Sequence, residues 1–180
     1  MTEIVQFRKD IPDYEPICMH SKAAPSSMLV IMLLTLAYIG SPGGAKDGFD
    51  ALTAMYLGRC EAYARCQSRV FRSEKAWLDW LGKERGRTPA VTVLFDSRGR
   101  QMSSEAFAAW LGARRDEGAQ QMVFALGPAD GWTEAARARA QLVLSLVPMT
   151  MAHALARVVV AEQIYRALTI LSGHPYHTGH

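Results

Sequence analysis

This sequence predicts an α/β protein: a parallel sheet with helices on both faces. Three observations carry that expectation. Apolar, β-compatible runs alternate with helical stretches five times along the chain. Two of those runs, "MLVIMLLTLAYIG" (28–40) and "AVTVLFD" (90–96), are apolar without alternation, as strands buried on both faces are. The runs are separated by turns and by stretches with helical spacing, the crossover pattern that parallel strands require. With 180 residues, 49% hydrophobic and 21% charged, the chain has enough apolar material for one domain with a real core.

Residues 1–27 are polar, carry Pro12, Pro16 and Pro25, and have no sustained period; they read as a poorly ordered extension. The folded unit is then 28–180, with Met28 or Met32 as its start. The run 28–40 resembles a signal-peptide core before "SPGGA", but a buried strand accounts for it as well. It is too short to span a bilayer. In 49–66, Leu52, Tyr56, Cys60 and Tyr63 recur at helical spacing. "SRVFRS" (68–73) alternates as a short strand, and "EKAWLDWLGKERG" reads as a short helix. "AVTVLFD" is the central strand, and "SRGR" turns the chain. Ser103 or Ser104 caps the next helix, with Glu105 in its first turn. "QMVFALG" (121–127) is a strand closed by "GPADG". A helix from Thr133 to Ala140 precedes the apolar, β-compatible run 142–151, broken at Pro148. The last helix covers His153 to Leu171, where Gly173 and Pro175 stop it.

Composition excludes little. A net charge of +3 permits nucleic-acid binding without demanding it. Cys18, Cys60 and Cys66 form no C-x-x-C pair; Cys60 and Cys66 read as sharing one helix but not one face. Neither a disulfide framework nor a zinc knuckle is indicated, so a cytoplasmic setting is expected. The tail "LSGHPYHTGH" places His174, His177 and His180 three apart on an irregular segment without carboxylate or thiolate partners, a poor metal site. No metal and no membrane association are expected.

Ligands of open parallel sheets sit beyond the C-terminal ends of the strands. That rule selects the loops at Phe95–Asp96, Gly127–Gly131 and Leu146–Met151. "FALGPADGW", "LSLVPMTMAHALARVVVAEQIYRALTILSGHPYH", the motif R-V-x-x-x-E-Q-x-Y-R-A and the terminal H-P-Y-H together resemble the RlmH family of SPOUT methyltransferases. The resemblance spans 29–177 in element order and is strongest from residue 90 onward. It implies a C-terminal trefoil knot, a homodimer, and S-adenosylmethionine as methyl donor. The implied target is N3 of a pseudouridine in 23S rRNA, in the assembled ribosome. The cofactor contacts it implies are Phe95, where the family carries leucine, Gly127, and the loop Leu146, Val147, Pro148, Met149, Thr150 and Met151. The family's G-G-x-x-G loop departs here at Pro128 and keeps Gly131, and its proline before the histidine is Ala152.

The acceptor would be an imide nitrogen, a poor nucleophile until its proton leaves. A base tuned near neutrality, or cations and donors that hold the developing anion, would serve. His153, Arg157, Tyr176 and His177 are the residues taken as catalytic, with Tyr165 and Arg166 as further candidates. Each has a plainer alternative. His153 can be a structural hydrogen-bond partner of the cofactor loop, Arg157 a surface or interface arginine, and Glu162–Arg166 a helix-stabilising pair. Arg8, Lys22, Arg59, Arg65, Arg69 and Arg72 could contact RNA phosphates, without any sign that they share a face. Two other functions stand beside the leading one: a binding protein that keeps the fold without catalysis, and a SPOUT methyltransferase with another RNA target. A dinucleotide enzyme is disfavoured, because the glycine fingerprint and the ribose-binding acid are missing. In the tail, the resemblance ends at His177; Thr178, Gly179 and His180 lie beyond it.

Overall fold

A computed structural model describes residues 32–40, 48–83 and 88–177. The extension read over 1–27, with Arg8, Cys18 and Lys22, lies outside the described residues, as do 178–180. The strands are β1 (Leu33–Ile39), β2 (Arg65–Phe71), β3 (Val91–Arg100), β4 (Gln121–Leu126) and β5 (Leu142–Leu144). The helices are α1 (Phe49–Cys60), α2 (Glu74–Lys83), α3 (Ser104–Asp116), α4 (Glu134–Arg137) and α5 (His153–Leu171), followed by a 3-10 turn at Pro175–His177.

The five strands form one parallel sheet in the order β2-β1-β4-β3-β5. The middle strand is β4; "AVTVLFD" is interior, between β4 and β5. Side chains alternate between two cores, as the strand period requires. Leu34, Leu36, Val93, Met122 and Phe124 point to the core shared with α1, α3 and α5. Ala37, Ile39, Leu94, Val123 and Ala125 point to the opposite core, with Trp77 of α2, Trp132 and Ala136 of α4. Both faces are therefore covered, and the continuous apolar runs follow from that burial.

The element boundaries differ from the sequence expectation at four places. Tyr63 and Ala64 both donate their N–H back to the Cys60 carbonyl, which ends α1 there. Cys66 is thus on β2, and β2 starts at Arg65 because its pairing with β1 begins at Leu33. "SRGR" is not a simple turn. Phe95 and Arg100 both register with Leu144, so 96–99 loop out while the strand resumes at Arg100, whose carbonyl accepts Ser145 N at 2.9 Å. A Cβ on Gly99 would lie 2.4 Å from the Leu144 carbonyl carbon, so only glycine allows this passage. α4 is one turn long, because Gln141 is captured by β3: its N–H donates to the Thr92 carbonyl and its side chain accepts Thr92 N. β5 is only Leu142–Leu144, and the chain leaves the sheet at Ser145, whose Oγ donates to the Val147 carbonyl.

α5 packs between α1 and α3, burying Val160, Ala161, Ile164, Ala167 and Leu168. Gly173 takes φ +70°, and His174 N donates to the Thr169 carbonyl, closing the helix as the sequence predicted. Among the described residues no helix is long and apolar enough to cross a membrane.

Candidate functional site

Because all strands run the same way, the C-terminal ends of β3, β4 and β5 share one edge. The loops that follow them enclose a cleft of about 430 Å3. Seven of the eight residues expected to hold a cofactor line it: Phe95, Gly127, Leu146, Val147, Met149, Thr150 and Met151. Pro148 bends the same loop without lining the cleft. Met149 is 80% exposed and stands at the rim. The walls are mostly apolar side chains and backbone, suited to a planar apolar group read by N–H and C=O groups.

The loops are held by a carboxylate that sequence reading did not single out. Asp96, buried at the end of the first stretch of β3, accepts from Arg98 N (2.9 Å), Arg98 Nε (3.2 Å), Trp132 N (3.2 Å) and Arg137 Nη1 (3.1 Å). It thereby ties the β3 loop to the 127–132 loop and to α4. Burial pushes its carboxyl up, but the hydrogen bonds from Arg98 and Trp132 outweigh this and hold it at about 2. Its signal in the sequence is slight: an acidic residue at the end of a buried strand. Trp132 Nε1 donates to the Phe95 carbonyl at 3.1 Å, across the same loops. A Cβ on Gly127 would come within 2.8 Å of that indole nitrogen. Gly127 is thus needed for the tryptophan to seat, whatever occupies the cleft. Gly131 has φ +81°, and its N–H donates to the Pro128 carbonyl, so proline is accommodated in this turn.

His153, the first residue of α5, lines the cleft and is half-buried. Its ring packs edge-on to Tyr38, centroids 6.1 Å apart. Nε2 is buried without a hydrogen-bond partner. Burial, then the charge of Arg157, lowers its pKa, against an opposing interaction with the Gly127 backbone. The imidazole is therefore neutral at pH 7. Arg157, one turn on, is buried and pinned: its Nη1 lies 2.7 Å from Asp50 Oδ1 of α1, and its guanidinium sits 4.7 Å over the Tyr38 ring. It is not a surface arginine.

Tyr176 is elsewhere. Its hydroxyl donates to Glu162 Oε1 (3.3 Å), its ring packs against Tyr165 (4.8 Å), and Arg166 stacks 5.0 Å over it. Burial, then hydrogen bonding with Tyr56, pushes the phenol up to about 12. The expected Glu162–Arg166 pair is present at 2.6 Å. Glu162 lies nine residues along α5 from His153, about 13 Å of helix rise. Within one chain, then, His153 and Arg157 are neighbours, and Tyr176 is not beside them. The backbone of His177 closes the 3-10 turn.

A family model described as a predicted SPOUT methyltransferase matches residues 32–177. The chain belongs to that family. The SPOUT assignment agrees with a ribosomal RNA large subunit methyltransferase H from Koribacter versatilis (strain Ellin345), 45% identical over 149 residues, covering 83% of this chain and all of that protein. A protein of the same description from Brucella ovis is 52% identical over 88 residues, 49% of this chain and 52% of its own length. Among solved structures, a probable methylase family protein from Haemophilus influenzae Rd KW20 aligns with a TM-score of 0.49 at 11% identity, covering 82% of this chain and 69% of that one. In this SPOUT chain the cleft lies on the loops that follow β3, β4 and β5.

Proposed function

We propose that this chain transfers a methyl group from S-adenosylmethionine to N3 of a pseudouridine in large-subunit ribosomal RNA, acting as a homodimer in the assembled ribosome. The observation that carries the reading is the cleft, formed by the three loops at the strand ends and holding a buried, unpartnered His153 Nε2. An orphaned polar atom of this kind costs free energy unless a ligand or water meets it. The residues present suit the cofactor: Leu146, Val147 and Met151 offer an apolar slot, and Thr150 and the loop backbone offer polar edges. When bound, S-adenosylmethionine supplies an electrophilic methyl group.

The chain's own residues would do the rest. His153, neutral at pH 7, can accept the imide proton or a hydrogen bond from the base. Burial, and then the charge of Arg157 held by Asp50, would keep His153 neutral in the resting state. Tyr176 and His177 would complete the site from the second subunit, since in one chain Tyr176 lies along α5 from the cleft. Arg166 and Glu162 would set the position of that tyrosine. The trefoil knot belongs to the same family reading.

Calorimetric titration with S-adenosylmethionine tests the cleft. Binding that is weakened by a bulky substitution at Thr150 supports the reading. No heat at millimolar ligand would leave a binding protein without catalysis.

A further inference from the structure

We propose that the β2 edge of the sheet is a second RNA-docking surface, gripping phosphate backbone away from the cleft. β2 is an edge strand. Between residues 59 and 72 the chain places Arg59, Arg65, Arg69 and Arg72, all exposed, against one acid, Glu61. That excess of three positive charges equals the net charge of the whole sequence, so the remainder balances and the surplus is concentrated here. Of the acids on the adjoining helix, Asp79 is paired with Lys75 at 2.8 Å, while Glu74 keeps its charge and accepts hydrogen bonds from Thr133.

The register sets two of the arginines on one face. Arg65 pairs with Leu33 and Arg69 with Ala37, four residues apart on a strand of period two. The Arg69 guanidinium lies 5.1 Å over the Trp80 ring, which in turn packs on Phe71 at 5.2 Å. Arg59, at the end of α1, lies 5.5 Å over Tyr56, in the helix layer on the other side of the sheet from Trp80, so the four arginines flank the edge rather than share one face. Arginine's planar guanidinium both stacks on aromatic rings and meets phosphate oxygens bidentately. A folded RNA presents closely spaced phosphates, whereas an acidic peptide would have to match four separated cations. β1 and β4 separate β2 from β3, so the surface stands about 14 Å across the sheet from the cleft, within the span of one RNA loop. The inference rests on the reading of the chain as an rRNA methyltransferase. It adds a surface that would hold the RNA while its target base enters the cleft. The alternative use of such charges is to protect a sheet edge from pairing with another chain.

The test is binding of the full-length protein to stripped large-subunit ribosomal RNA and to ribosomal particles, between 50 and 200 mM salt on the order of the usual range. The variant is Arg65→Glu with Arg72→Glu. We expect weaker RNA binding and a salt dependence shallower by about one to two counterions, with S-adenosylmethionine affinity unchanged. Arg65→Gln with Arg72→Gln, milder for folding, should give the same loss in smaller degree, and Arg69→Lys, which gives up the planar fork and the stacking on Trp80, should also weaken binding. An unchanged salt slope with intact binding overturns the proposal and leaves the arginines as edge protection. Weaker binding to particles with an unchanged salt slope overturns it in favour of a protein partner. Because RNA binding is read directly, a chain that binds no S-adenosylmethionine would sink the enzyme reading without deciding this one.

Discussion

His153 and Asp96 divide the work at the cleft. Asp96 holds the loops; His153 presents a neutral ring to whatever the loops enclose. His153→Gln should lower kcat by about a hundredfold, in the range for a lost general base, while cofactor affinity is kept. The pH profile follows from the direction of its shift. A histidine held below 6.5 is already neutral at pH 7, so kcat should be flat across pH 7 to 8 and fall only below its ordinary value. Asp96→Asn should cost about 2 kcal/mol at pH 7, read by urea unfolding. Its folded value of about 2 lies below the ordinary 3.8. The contribution is therefore complete above pH 4, is lost as pH falls towards 2, and wild type and variant should converge there. The sequence can suggest His153, since it follows the 146–151 loop at a helix start. It could not suggest the Asp96 network, whose partners Trp132 and Arg137 are brought near only by the parallel sheet.

At the level of elements, α5 is anchored at both ends by contacts with α1. Near its start, Arg157 is buried against Asp50 in the first turn of α1. Asp50→Asn would leave a buried guanidinium without its counter-charge, at a cost of about 2 kcal/mol measured by the shift in urea midpoint at constant m. A loss of much less would mean that Arg157 finds another partner. Toward its end, Tyr165 packs on Tyr56 and Tyr63, and Tyr176 folds back onto Glu162. The strands and long helices were readable because burial on two faces, or on one stripe, writes itself into hydrophobic spacing. α4 and β5 were read too long. Their residues suit helix and strand, but Gln141 bonding to Thr92 and Ser145 bonding to Val147 stop them, and such captures leave no local pattern. The sequence leaves Arg157 open between surface and site for the same reason: its partner Asp50 is far away in sequence.

For the whole molecule, the question is whether one chain makes one site. His153 and Tyr176 lie at different levels of α5, and the proposal brings them together across two subunits. Mixed dimers give a clear outcome. His153→Gln and Tyr176→Phe homodimers should each be slow. Co-expressed, the two should regain part of wild-type activity, because one of the two composite sites is then intact. No recovery would place the site within a single chain. A parallel sheet covered on both faces, with its ligand loops at the strand ends, is accessible from the sequence as a class of fold, and the family resemblance narrows it; the strand order is not. The pairing of subunits is not written in hydrophobic spacing at all.

Purified protein, S-adenosylmethionine and ribosomes lacking the modification should yield 3-methylpseudouridine in the large-subunit RNA by mass-spectrometric nucleoside analysis, and the His153→Gln protein should yield it far more slowly. Methyl label on a different nucleoside, or on none, would contradict the account.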